Sequence, residues 1–200
     1  MMKNKLEKGL VQVYTGKGKG KTTASLGLAL RAVGHGFKVE MIQYMKGSAY
    51  SGELFSTERL PNLNIKQFGR GCPYAALIRQ GIQKCTGCGE CFLKGNDDES
   101  REEFKEFVKV AYDYTKEVLA DSKTDIVILD EINNALRYDL LTIKDVLDLI
   151  SLKDEKTELI MTGRGFDKKI LETADLVTEM QAVKHPYQEQ GITSRRGIEY

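Results

Sequence analysis

The chain has 200 residues, 41% of them hydrophobic, with 4 Cys and no Trp, and its 30 Lys plus Arg against 29 Asp plus Glu leave a formal charge of +1. Such a length suits one domain that buries a core without disulfide or metal staples, and so even a charge argues against a protein that coats nucleic acid. No stretch nears the roughly 18 consecutive apolar residues of a membrane helix, and the start, MMKNKLEKGL, lacks the apolar centre of a signal peptide; a cytoplasmic protein with neither membrane nor nucleic-acid partners is expected.

In chain order, residues 10–14 (LVQVY) read as a strand and 20–33 as a helix closed by Gly34-His35-Gly36. Residues 37–43 and 63–68 read as a second and a third strand. Apolar residues at 104, 107, 108, 111, 114, 118 and 119 predict a helix with one buried stripe, and Ser100 with Glu103 offers a capping box for its start. Residues 126–129 (IVIL) form a wholly apolar strand of the kind buried on both faces of a parallel sheet. Helices follow at 142–151 and 167–174, on either side of a strand at 158–162, with a last strand near 176–180. The alternation predicts a single α/β domain over residues 1–200, a mostly parallel sheet with helices on both faces. Residues 69–98, rich in Gly and Cys, break the alternation and read as an insertion carrying its own stabiliser.

Directly after the first strand comes Thr15-Gly16-Lys17-Gly18-Lys19-Gly20-Lys21-Thr22-Thr23, with a helix at once behind it. Strand, Gly-rich loop and helix make a phosphate-binding loop: glycines turn N–H groups inward, the helix terminus adds partial positive charge, Lys21 reaches terminal phosphates and Thr22 holds Mg²⁺. The usual pattern has Gly where this chain has Thr15, so the loop begins one residue late, and Lys17 and Lys19 add two cations to Lys21. The bland alternative is a Gly-rich turn with solvated lysines. Asp130 and Glu131 end the apolar strand at 126–129 and supply the acids such a site needs for Mg²⁺, or else they cap the next helix. Arg164, in Thr162-Gly163-Arg164 after another strand, is either a phosphate clamp or a surface ion pair. His35 reads as a helix-end residue, and His185 as loop packing or a ligand contact. With two His and no Gly-x-Ser-x-Gly, hydrolytic metal or serine chemistry is poorly supplied.

The four cysteines, Cys72, Cys85, Cys88 and Cys91, fall too close together for a disulfide framework. Cys85-Thr-Gly-Cys88-Gly-Glu-Cys91 has the spacings of the three linear ligands of a [4Fe–4S] site, and Cys72-Pro73 matches the remote fourth. A structural Zn²⁺ is the competing occupant, and unligated thiols are the remaining reading.

Thr15 to Thr23, Ala29-Leu-Arg-Ala-Val-Gly-His-Gly36, Gln43-Tyr-Met-Lys-Gly47, Leu129-Asp-Glu131, Leu159 to Arg164, Ala174 to Met180, Val183-Lys-His-Pro-Tyr187 and Gly197-Ile-Glu-Tyr200 occur in one order. In that order the chain resembles the P-loop ATP:corrinoid adenosyltransferases of cobalamin biosynthesis and salvage, from Val11 to Tyr200. The resemblance implies a RecA-like fold, a homodimer, ATP and a corrinoid as substrates, and transfer of the 5′-deoxyadenosyl group to Co(I) with release of triphosphate. It implies that Gly16–Thr23 bind the triphosphate, that Thr22 and Glu131, beside Asp130, hold Mg²⁺, and that Arg31 lies near the nucleotide. Many relatives carry a longer N-terminal extension that covers the corrinoid; the first strand here begins by Val11, so cover is expected from elsewhere. Gly69-Arg-Gly-Cys-Pro-Tyr74 stands where relatives have an aromatic turn against the corrinoid's lower face, with Tyr74 as the aromatic. On this reading the cysteines relay electrons from an electron donor to Co(II) or staple a loop. The rival readings are a P-loop ATPase or kinase moving the γ-phosphoryl group, and a non-enzymatic ATP-gated metal or redox sensor.

Overall fold

The computed structural model describes residues 6–93 and 98–200. Six strands form one sheet, all of their pairings parallel: β1 (Val11–Thr15), β2 (Val39–Tyr44), β3 (Leu63–Phe68), β4 (Ile126–Asp130), β5 (Glu158–Thr162) and β6 (Leu176–Glu179). Their order across the sheet is β3-β2-β4-β5-β1-β6. This is the expected α/β architecture with an all-parallel sheet, and each predicted strand lies within two residues of its observed ends.

The helices are α1 (Lys21–Gly34), α2 (Gly52–Thr57), α3 (Ala75–Arg79), α4 (Asp98–Ala120), α5 (Ile132–Arg137), α6 (Ile143–Leu152), α7 (Lys168–Thr173) and α8 (Pro186–Gln190). Because successive strand residues face opposite ways, β4 serves two cores. Val127 and Leu129 pack with Phe104, Val108 and Ala111 of α4, Val146 and Leu149 of α6, and Ile170 of α7. Ile126 and Ile128 face the other way and pack with Ala29 and Ala32 of α1, Met41 and Ile160. Helices therefore cover both faces, which is why β2, β4 and β5 read as unbroken apolar or mixed runs and not as alternating ones. In α1 the buried residues Lys21, Ser25, Ala29 and Ala32 fall one turn apart, which lays the helix along the sheet from the phosphate loop.

The capping box expected at Ser100 and Glu103 is not formed. α4 starts by Asp98, so Ser100 lies inside it, buried. Arg70, from the turn after β3, reaches across and donates to Ser100 Oγ (3.0 Å) and to the Glu103 carboxylate. A long-range guanidinium has taken both side chains that the local motif would have used. Among the described residues a complete capping box is on α6, where Thr142 Oγ1 accepts from Asp145 N and Asp145 receives the Thr142 N–H.

The expected 69–98 insertion includes residues 94–97, outside the described residues. Its described part adds α3 and turns, and no strand. The segment follows β3, and the backbones leaving β2 and β3 touch: a Cβ on Gly47 would lie 2.3 Å from the Arg70 carbonyl, and one on Gly69 2.5 Å from Lys46 N. Glycine is required at both positions for that approach.

Candidate active site at the carboxyl edge of the sheet

Strands β4, β5 and β1 are neighbours in that order, so their carboxyl ends place Asp130, Thr162 and the loop after Thr15 side by side. Adjacent strands lie about 4.8 Å apart, and the first turn of α1 spans the gap. Thr22 Oγ1 donates to Asp130 Oδ1 (2.8 Å), Thr162 Oγ1 donates to the same oxygen (2.8 Å), and Gln43 Nε2 from β2 donates to Oδ2 (3.1 Å). Asp130 is fully buried, and these donors keep its charge compensated.

Glu131 follows in the left-handed region (φ 58°), a conformation that costs a non-glycine residue about 1–3 kcal/mol and collects at functional sites. Its N–H donates to Thr162 Oγ1 (2.9 Å) and its carboxylate accepts from Asn134 Nδ2 (3.0 Å). Burial, then the charge of Asp130, pushes the Glu131 carboxyl up, while Lys21, Arg164 and Lys46 pull it down. Thus the two acids and two of the expected phosphate-binding cations share one field.

The loop itself is held open by glycine. Gly16 and Gly20 have φ of 97° and 114°. Gly18 donates its N–H to the Met180 carbonyl (2.7 Å) at the end of β6, and a Cβ there would lie 2.7 Å from that oxygen. Lys21, 5% exposed, donates to the carbonyls of Gly16 (2.9 Å) and Gly18 (2.8 Å). Burial lowers its pKa, with Glu131 and Asp130 acting against burial and Arg164 with it. Lys17 and Thr23 are exposed, and Lys19 is ion-paired with Glu199 (2.6 Å).

Beside the loop lies a cleft of about 1070 Å³ lined by Gly16, Lys17, Arg137, Arg164, Phe166 and His185, among others. Arg164 stands on it between Gly163 and Gly165, its carbonyl bonded by Asn133 Nδ2. A Cβ on Gly163 would meet the Asn133 Cβ at 2.4 Å, so β5 and α5 are pressed together just where the arginine leaves the strand. His185 accepts the Tyr187 N–H on Nδ1 (3.3 Å), starting α8, and also lines the cleft.

On the other side, beyond β2, the four cysteines line one cavity of about 180 Å³ together with Tyr50 and Tyr74. All four are unbridged. Burial and the neighbouring sulfurs of Cys72, Cys85 and Cys88 push the Cys91 thiol up. Among the described residues no three His, Cys, Asp or Glu side chains close on a single metal ion.

A family model described as ATP:corrinoid adenosyltransferase BtuR/CobO/CobP matches residues 7–200. The chain belongs to that family. It is 37% identical to a corrinoid adenosyltransferase from Sinorhizobium sp over 97% of this chain and 81% of that one, and 34% identical to one from Escherichia coli K12 over 97% and 87%. Among solved structures, a KaiC-like protein from Pyrococcus horikoshii is similar with a TM-score of 0.44 and 16% identity, covering 86% of this chain and 73% of that one. As a family member the chain is an enzyme, a transferase acting between ATP and a corrinoid.

Of the residues expected to bind phosphate and Mg²⁺ in an ATP:corrinoid adenosyltransferase, Thr15–Thr22, Asp130, Glu131 and Arg164 come together at the carboxyl edge of the sheet. Arg31 does not join them. It is in the last turn of α1, ten residues and about 15 Å of helix from Lys21, where its charge acts on Tyr14. Tyr74 is 43% exposed and starts α3 on the cysteine side. Sequence reasoning missed Gln43, Thr162 and Asn133; their one signal is position, a polar residue at or just past the carboxyl end of an apolar strand.

Proposed function

We propose that this adenosyltransferase binds the ATP triphosphate over Gly16–Thr22 and presents the ribose C5′ to a corrinoid entering the adjoining cleft. The Co(I) electron pair forms the cobalt–carbon bond while the C5′–O bond breaks, and triphosphate leaves with that bond's electrons. Because cobalt is the nucleophile, no general base is required, which agrees with a site made of lysines, carboxylates and hydroxyls.

The observation that carries the reading is the set of Lys21, Thr22, Asp130 and Thr162 on three adjacent strand ends, in a chain of this family. Lys21 exchanges two loop carbonyls for phosphate oxygens, and Lys17 and Arg164 flank the charge that develops on the leaving group. A hard, oxygen-only donor set of Thr22, Asp130 and Glu131 fits Mg²⁺, which would neutralise phosphate charge when bound. Asn133 holds Arg164 in place through its carbonyl. Finer parts of the proposal are an electron donor for Co(II), a metal centre at the four thiols (an iron–sulfur cluster, with Zn²⁺ as rival), and a homodimer. The dimer is supported by exposed apolar residues on edge strand β6 and after it: Leu176, Val177, Val183 and Tyr187, from 42% to 89% exposed.

Incubation with ATP, Mg²⁺ and chemically reduced corrinoid should yield triphosphate and a light-sensitive cobalt–carbon bond. ADP with phosphate would instead identify a phosphoryl transferase, and no turnover a sensor.

A further inference from the structure

Four thiols stand apart from the phosphate edge, and the fold gathers them from two places. Cys72 comes from the turn after β3, and Cys85, Cys88 and Cys91 from the loop after α3. Gly87 and Gly89 take φ of 69° and 78°, so the chain curls at both sides of Cys88 and brings three sulfurs to the cavity that Cys72 also lines. Only glycine takes two such turns in three residues without strain.

The cavity has a built wall and a cover. Tyr50, 7% exposed, donates its hydroxyl to Cys85 Sγ (3.5 Å). The C-terminal residues 194–200 close the opening: Tyr200 packs edge-on against Tyr50 (5.2 Å between centroids), accepts the Cys85 N–H on its hydroxyl (3.4 Å), and lines the cavity with Glu199. Glu199 is in turn held by Arg195 (3.1 Å) and by Lys19 of the phosphate loop. A solvated loop with spare cysteines gives no reason for such a strap.

We propose that Cys72, Cys85, Cys88 and Cys91 ligate a [4Fe–4S] cluster in this cavity, beneath a strap made by residues 194–200. The inference rests on, and deepens, the reading of these thiols as a metal centre. Two-residue spacing within a Cys triplet, with a remote Cys-Pro, is the ligand pattern of such clusters. Structural zinc sites more often use two separate Cys-x-x-Cys pairs, whereas here one triplet shares its middle cysteine and lines a single cavity with Cys72. The Tyr50 hydroxyl on Cys85 Sγ is a polar contact of the kind that tunes a cluster, and Cys88, the exposed member of the four, faces the solvent side.

The test uses the full chain purified without oxygen. The expected result is about four iron and four sulfide per chain, with visible absorption that dithionite bleaches; Cys72→Ser and Cys88→Ser each lose nearly all the iron, and removal of residues 195–200 speeds iron loss to a chelator. ATP binding by the same variants checks that they fold. A colourless protein holding zinc overturns the proposal. So does a chain that takes up no iron with ferrous ion and sulfide, or an unchanged cluster in Cys72→Ser. Triphosphate release with pre-reduced corrinoid, measured on the same samples, separates the two readings: turnover without iron sinks the cluster alone, and iron without turnover sinks adenosyl transfer alone.

Discussion

Lys21 and Asp130 show how much of the site is already wired before ligand arrives. Among the described residues Lys21 has no carboxylate ion-pair partner and satisfies its ammonium on two loop carbonyls, so triphosphate would displace weak acceptors for charged ones. Lys21→Ala should lower kcat/KM for triphosphate formation about 10²–10³-fold, with the circular-dichroism spectrum unchanged. Asp130 accepts from Thr22, Thr162 and Gln43. In Asp130→Asn one oxygen remains for these donors and an amide faces one of them, so unfolding by urea should show a loss of about 1–3 kcal/mol. Activity should then need more Mg²⁺. Ser100 shows the limit of residue-level reading: the local capping pattern with Glu103 was sound, yet Arg70 took both side chains, and nothing in residues 100–103 announces it.

At the scale of elements, the strands and the long helices were legible because their signals are local. Apolar runs gave the six strands, and spacing of one turn gave α1, α4 and α6. The short helices α2, α3, α5 and α8 were not read, since five or six residues show little of a period, although the equally short α7 was read at 167–174. The phosphate loop is an element whose shape depends on β6: a Cβ on Gly16 would lie 2.3 Å from the Met180 carbonyl, at φ 97°. Gly16→Ala should destabilise by about 1–3 kcal/mol, and a thermal-shift assay should show ATP protection lost. Edge strand β6 carries Val177, 45% exposed. If the proposed homodimer pairs through β6, a Val177→Lys variant should sediment as a monomer where the parent chain sediments as a dimer; a parent chain that is monomeric, or a variant that stays dimeric, overturns that interface.

For the whole molecule, the C-terminal strap joins places that are far apart in sequence, Lys19 in the loop, Tyr50 after β2 and Cys85 after α3. Arg195 and Lys19 hold the Glu199 carboxyl at about 2. A depressed carboxylate contributes fully above its unfolded pKa of about 4.3 and loses the contribution as pH falls through the folded value. The strap should therefore loosen below about pH 4.3 and be free below about pH 2, read as faster hydrogen exchange of the Cys85 amide. Glu199→Gln frees Lys19 for phosphate and should tighten ATP only a few-fold, because exposed pairs are worth about 0.2–1 kcal/mol; isothermal titration checks it.

The sequence by itself determined the α/β class, the Gly-rich loop between β1 and α1, the acids after β4 and the family, because each is written in contiguous residues or in their order along the chain. Tertiary structure decided what depends on strand adjacency and chain crossing. The order β4-β5-β1 makes Thr162 a partner of Asp130 and Glu131, β2 brings Gln43 to the same carboxylate, and α1 carries Arg31 away from the loop. It also gathered four thiols at one cavity and laid the C-terminus over them. Spacing along a chain specifies local turns; contacts between residues a hundred positions apart are set by how sheets and helices pack.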